Sequence, residues 1–194
     1  MFITKQKYKG NSMNKEKFPK EYKNLLSMET ILDNTEDSFR LKIILKYDNI
    51  KGTSVYANKP IRKGETVAYY KITVFDNEDY VSPTNFLYAV KVYTKTDKPS
   101  KYLIGDISLD SIQQPINNVP FWGFLVNEPS VNQDVNCELD SNLEKNYTQQ
   151  NRLRPKQGCK LIYKLISTRN IDVGEEITLY YGDNYKRDYE INIQ

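Results

Sequence analysis

Histidine is absent from the 194-residue sequence, and cysteine occurs only twice, at Cys137 and Cys159. Without histidine, the chain has no imidazole for acid–base catalysis, for a catalytic triad or for metal ligation. Two cysteines cannot build a four-thiolate zinc site or a disulfide framework within one chain. Any catalytic chemistry must therefore use tyrosine, lysine, carboxylates, cysteine or the backbone, and we expect no metal ion as a cofactor.

Long apolar runs and a strong charge of one sign are also missing. No segment approaches the ~20 apolar residues of a membrane-spanning helix, and no signal-peptide pattern opens the sequence. We therefore expect a soluble, intracellular protein, in the cytoplasm or the nucleus, with no membrane partner. The net charge is +3, from 28 basic and 25 acidic residues, which is too small to indicate direct nucleic-acid binding.

Short alternating segments dominate the sequence from residue 41 onward. Apolar residues recur with a period close to two over residues 41–47 and 159–167, which is typical of strands with one buried face. The other predicted strands are residues 55–57, 66–74, 87–93, 102–104 and 177–180. Turn residues such as glycine, asparagine and proline separate these segments. The pattern predicts a mostly β fold with short helices.

The predicted organisation is one β domain over residues 39–194, preceded by a basic extension over residues 1–38 that is partly helical. Pro19 can open a helix at its first turn, and apolar residues at helical spacing follow it. For the lysines of the extension, a solvated tail is favoured over a contact with an acidic surface. Residues 140–158 are polar and aperiodic, so we predict a loop inserted in the β domain.

Four separated segments carry more specific motifs. The first is the glycine turn KGTSVYA of residues 51–57, and the second is VAYY of residues 67–70. The third is FWGFLVNEP of residues 121–129, with a second asparagine at Asn136. The fourth is ISTRNIDVGEEITLYYGDNY of residues 166–185. In this order and spacing they resemble the SET domain of protein lysine methyltransferases, over roughly residues 41–186.

The resemblance implies a β-clip fold of several small sheets, with a C-terminal segment threaded like a pseudoknot. It implies transfer of a methyl group from S-adenosylmethionine to a lysine ε-amine in a protein substrate, such as a histone tail. The closing motif is also similar to the PR-domain branch. The lack of zinc-binding cysteine clusters is similar to the minimal, zinc-free SET proteins of large DNA viruses.

The resemblance implies Tyr181, directly before a glycine, as the catalytic residue. The expected cofactor-binding residues are Gly52, Thr53, Ser54, Asn127, Glu128 and Tyr181, with Glu128 facing the adenine through its backbone. The expected walls of the lysine channel are Tyr70, Leu179 and Tyr185, although Tyr70 can equally be a buried strand tyrosine. No metal ion is implied.

Two departures from the family pattern leave an alternative open. Ser54 stands where the family has a second glycine, and Glu128 stands where it has histidine. A catalytically inactive SET-fold module that binds proteins is therefore the competing hypothesis. Without a zinc segment, another element must complete the lysine channel. The candidates are the tail with Tyr185 and Tyr189, the loop of residues 140–158, or the second subunit of a homodimer.

Overall fold

The computed structural model describes residues 21, 27, 31–32, 40–48, 51–84, 86–93, 99–108, 110–111, 113–140, 155–183, 185, 187 and 190. Within these residues, seven strands form two antiparallel sheets, and Gly123–Leu125 forms a turn of 3₁₀-helix. The strands are β1 (Ile43–Asp48), β2 (Gly52–Ala57), β3 (Thr66–Asp76), β4 (Val90–Tyr93), β5 (Pro99–Asp106), β6 (Cys137–Asp140) and β7 (Lys160–Ser167). The predicted mostly β fold with small sheets is confirmed.

The larger of the two sheets has β3 as its central strand. Strands β1 and β2 form a two-stranded sheet of their own, while the other five strands follow the order β4-β5-β3-β7-β6. Strand β3 pairs with β7 from Thr66 to Thr73 and with β5 from Thr73 to Asp76. Its eleven residues are therefore long enough to join neighbours on both sides.

Strand β3 is buried on both faces over residues 67–70. Tyr70 belongs to the main hydrophobic core together with Trp122. Tyr69 points to the opposite face and packs on Phe121, with 5.2 Å between the ring centroids. Strict alternation is lost there because apolar side chains cover both faces of a central strand.

The C-terminal segment corrects one predicted strand. Residues 177–180 do not form a continuous strand with a single partner, because successive residues pair with separate parts of the chain. Isolated bridges join Glu176 to Tyr56, Thr178 to Asn127 and Leu179 to Cys137. Such pairing is what a pseudoknot-like threading of the C-terminal segment requires. Strand β6 is an addition, since its sequence CELD shows no alternation that would predict it.

Several predictions concern residues outside those that the structure describes. These include most of the basic extension with its helix after Pro19, residues 141–154 of the predicted loop, and Tyr189. Ile31 is described, and it is buried in the main core. The domain boundary near residue 38 stays a prediction. Among the described residues, none belongs to a helix with the length and apolar character needed to cross a bilayer.

A buried carboxylate anchors the connection between β3 and β4. Asp106, at the end of β5, is inaccessible to solvent. Its Oδ2 accepts hydrogen bonds from Ser82 Oγ at 2.5 Å and Tyr80 Oη at 3.1 Å, and its Oδ1 accepts one from the Ile107 N–H at 2.8 Å. Burial raises the pKa of Asp106 to about 6, against the effect of these donors.

The raised pKa of Asp106 predicts a specific pH dependence of stability. The folded protein retains a proton on Asp106 between its ordinary pKa of 3.8 and about 6, where the unfolded chain has released it. This contribution to the unfolding free energy therefore falls as pH rises through that window, by at most about 3 kcal/mol. We expect Asp106→Asn to gain about that much stability relative to wild type between pH 4 and pH 7, measured by urea titration. A stability difference independent of pH would contradict this prediction.

Candidate active site

Asn127 joins the first residues of β2, in the glycine motif of residues 51–57, to the C-terminal segment. It lies two residues beyond the 3₁₀ turn Gly123–Leu125. Its Nδ2 donates hydrogen bonds to Ser54 Oγ at 2.8 Å and to the Thr53 carbonyl at 3.3 Å. Its own carbonyl accepts a hydrogen bond from the Leu179 N–H at 2.9 Å. One asparagine thus connects three of the four sequence motifs.

Tyr181 lies beside this asparagine. Its phenol donates a hydrogen bond to the carbonyl of Val126 at 2.7 Å, and its backbone N–H donates to Glu128 Oε1 at 2.8 Å. Its ring meets that of Tyr185 edge to face, with 4.8 Å between centroids. The residues on either side of Asn127 therefore hold Tyr181 by both its hydroxyl group and its backbone.

An aromatic cluster adjoins Tyr181 and Tyr185. Tyr70 is fully buried and its phenol donates a hydrogen bond to the carbonyl of Tyr88. The ring of Phe124 packs against both, at centroid distances of 6.4 Å and 6.0 Å. Burial raises the pKa of Tyr70 well above its usual range and that of Tyr88 to about 12. Both phenols are therefore uncharged at neutral pH.

Glu128 is a buried carboxylate held by an arginine from the C-terminal segment. Arg187 Nη2 lies 2.5 Å from Glu128 Oε1, and Arg187 Nε donates to Oε2 at 2.8 Å. The same guanidinium donates to the carbonyls of Gly182 and Tyr185, both at 2.9 Å. The sequence suggested only a backbone role for Glu128, and Arg187 lies beyond the motif that ends at Tyr185.

A second, partly buried ion pair lies beside the glycine motif of residues 51–57. Lys51 Nζ is 2.8 Å from Glu176 Oε2, and the Glu176 side chain is only 3% exposed. Lys51 also donates to Gln133 Oε1 at 3.0 Å and to the Glu128 carbonyl at 3.3 Å. Sequence reasoning missed this pair, although Lys51 directly precedes Gly52 and Glu176 ends the Gly-Glu-Glu turn.

Asn136 holds the C-terminal segment in place through its side chain. Its buried amide donates from Nδ2 to the Glu176 carbonyl at 2.8 Å and accepts at Oδ1 from the Thr178 N–H at 2.8 Å. An asparagine side chain carries both a donor and an acceptor. It therefore substitutes for a strand partner where the segment has no continuous ladder.

The predicted site residues divide into two groups. One group forms a hydrogen-bonded chain around the motif of residues 127–128, and its members are Thr53, Ser54, Asn127, Glu128 and Tyr181. Gly52 opens β2 with φ 79°, a conformation that favours glycine. The other group packs in or against the main core, and its members are Tyr70, Leu179 and Tyr185.

Two solved structures are similar to this chain in fold, at low sequence identity. A candidate histone methyltransferase of Plasmodium falciparum aligns with a TM-score of 0.47 and 14% identity, over 74% of this chain and 96% of that one. ATXR5, solved in complex with a mono-methylated histone H3.1, aligns with a TM-score of 0.45 and 17% identity, over 76% of this chain and 60% of its own. No family model and no curated protein matches the sequence.

Asn136→Ala tests how the C-terminal segment is held. The truncation leaves the Glu176 carbonyl and the Thr178 N–H buried without their partner. We expect the unfolding free energy to fall by about 2–4 kcal/mol, since each orphaned buried group costs about 1–3 kcal/mol. Urea denaturation followed by fluorescence measures this loss.

The matched control is Asn170→Ala. Asn170 is exposed and accepts one hydrogen bond from the Lys63 N–H at 2.9 Å. Water can replace that bond, so this variant should lose less than about 1 kcal/mol. Equal losses in the two variants would show that the buried amide of Asn136 has no special part in holding the segment.

Proposed function

We propose that this chain is a SET-domain protein lysine N-methyltransferase that uses S-adenosylmethionine. The observation that supports this most strongly is the meeting of two distant motifs. Tyr181 donates its phenol to the carbonyl of Val126, 55 residues earlier, while the next residue, Asn127, binds the glycine turn. Neither motif is specific alone, but their contact is what the sequence resemblance requires.

The residues around Asn127 fit the amino-acid end of S-adenosylmethionine. A zwitterion needs both donors and acceptors, and the Asn127 amide supplies an acceptor, because both hydrogens of its Nδ2 are donated to Ser54 and Thr53. Its Nδ2 is bound to Ser54, whereas within the described parts of the chain no hydrogen bond reaches its Oδ1. The Thr53 carbonyl, 3.3 Å from the amide nitrogen, adds an acceptor. The proposed binding residues are Gly52, Thr53, Ser54, Asn127, Glu128 and Tyr181.

The lysine ε-amine must reach this site uncharged. Its ordinary pKa of about 10.4 leaves few neutral amines at pH 7, and an apolar aromatic lining disfavours the ammonium form. The proposed lining consists of Tyr70, Leu179 and Tyr185. Tyr70 and Leu179 are buried in the main core and Tyr185 packs against it, so the proposed lining is apolar.

Tyr181 would then orient the amine. When bound, S-adenosylmethionine supplies a methyl group carried on a sulfonium sulfur. The phenol proton of Tyr181 is engaged with the Val126 carbonyl, so its oxygen serves as an acceptor toward the amine. Alignment of reacting groups supplies up to about 7–11 kcal/mol in favourable cases. The reaction therefore needs no imidazole, which the chain lacks. The substrate would be a protein, such as a histone tail.

Tyr181→Phe tests the catalytic assignment. The variant keeps the ring that packs on Tyr185 and removes only the hydroxyl group. We expect methyl transfer to fall by about 100-fold or more, in the range of other positioned catalytic groups, with an almost unchanged dissociation constant for S-adenosylmethionine. Transfer of radiolabelled methyl groups to protein pools and calorimetric titration measure the two quantities.

Tyr102→Phe is the control, because Tyr102 is 68% exposed on β5 and belongs to no part of the site. It should retain full activity. Full activity in Tyr181→Phe would contradict the catalytic assignment. Wild-type protein that does not bind S-adenosylmethionine would contradict the proposed enzyme and favour the inactive SET-fold module.

A further inference from the structure

A buried ion pair, here called the Glu128–Arg187 clamp, connects the centre of the site to the last part of the described chain. The Glu128 side chain is 1% exposed and that of Arg187 is 14% exposed. The guanidinium meets the carboxylate through two parallel hydrogen bonds, from Nε and Nη2. Such a bidentate pair fixes direction as well as distance, which a single contact does not.

The clamp acts directly on the backbone of Tyr181. Glu128 Oε1 accepts hydrogen bonds from Arg187 and also from the Tyr181 N–H at 2.8 Å. On its far side, the guanidinium binds the carbonyls of Gly182 and Tyr185. Tyr181, Gly182 and Tyr185 are therefore all held around one ion pair, and the described residues of this segment form no strand or helix.

The same guanidinium also fixes aromatic rings. Its central carbon lies 5.2 Å from the ring centroid of Tyr180 and 5.5 Å from that of Tyr185. Tyr185 in turn packs edge to face on Tyr181. Arg187 therefore constrains Tyr181 by two routes, through the Glu128 carboxylate and through the Tyr185 ring.

We propose that Glu128 and Arg187 are positioning residues, which hold Tyr181 and Tyr185 in the geometry that methyl transfer needs. This inference rests on the proposed function. Burial of two charges is offset only by strict geometry, so such a pair contributes orientation more than net stability. The described residues after Tyr181 have no strand ladder to supply that orientation, and the clamp supplies it instead.

The test compares Arg187→Met, Arg187→Lys and the double variant Glu128→Gln/Arg187→Met with wild type. Methionine keeps much of the side-chain volume but no donor, while lysine keeps the charge without the planar fork. The matched control is Arg169→Met. Arg169 pairs with Glu175 at 2.7 Å, with side chains 42% and 33% exposed, and contacts neither Tyr181 nor Tyr185 in any interaction described above.

Two readouts are followed in each variant. Hydrogen exchange of the Tyr181 amide, in peptides spanning residues 178–187, reports the clamp without any turnover. We expect Arg187→Met to exchange there about 10-fold faster or more, because a protected amide becomes open to local fluctuation. We expect kcat to fall by about 10- to 100-fold with a nearly unchanged dissociation constant for S-adenosylmethionine, since positioning acts on the chemical step.

Arg187→Lys should lie between wild type and Arg187→Met in both readouts, and Arg169→Met should match wild type. Arg187→Met leaves the Glu128 charge buried without its partner, and the double variant removes that charge. The double variant should therefore be more stable than Arg187→Met, while its kcat stays as low as that of Arg187→Met. It therefore carries the test if Arg187→Met unfolds.

The proposal would be overturned if the double variant had the same Tyr181 amide exchange rate and the same kcat as wild type. Recovery of kcat together with stability would also overturn it, because that would make the pair merely structural. Failure of the proposed function has a different signature. Wild-type protein would then transfer no methyl group, while removal of Arg187 would still accelerate exchange at Tyr181.

Discussion

The hydrogen bonds of Asn127 are the constraint on which the site depends. Its side chain holds the turn at Thr53 and Ser54, and its carbonyl receives the N–H of Leu179. If this residue shifted, the start of β2 and the C-terminal segment would lose their common partner. The neighbours of Asn127 then add the contacts to Tyr181. The short segment of residues 126–128 therefore forms the centre of the candidate site, because it binds both the start of β2 and the C-terminal segment.

An ion pair lies on each side of residues 126–128. On the side of the glycine turn, Lys51 and Glu176 form a partly buried pair. On the side of the C-terminal segment, Glu128 pairs with Arg187. The aromatic cluster around Tyr70, which belongs to the main core, contains uncharged phenols.

The sequence predicted most strands because each alternation is local, as in residues 41–47 and 159–167. It predicted the proximity of Asn127 and Tyr181 only through the family resemblance. It did not predict β6, whose four residues carry no period, or the isolated bridges of residues 176–179, whose partners are far away in the chain. The sequence also did not predict the role of Arg187. Its partner, Glu128, lies 59 positions earlier, and only the three-dimensional fold brings the two together.

The bridges of the C-terminal segment have a consequence for the order of folding. Residues 176–179 pair with Tyr56, Asn127 and Cys137, so they can dock only after those distant parts have come together. Contacts of long sequence separation require loop closure before they stabilise anything, and they form slowly. A chain in which residues 176–179 have not yet docked lacks the bridges that join this segment to Tyr56, Asn127 and Cys137.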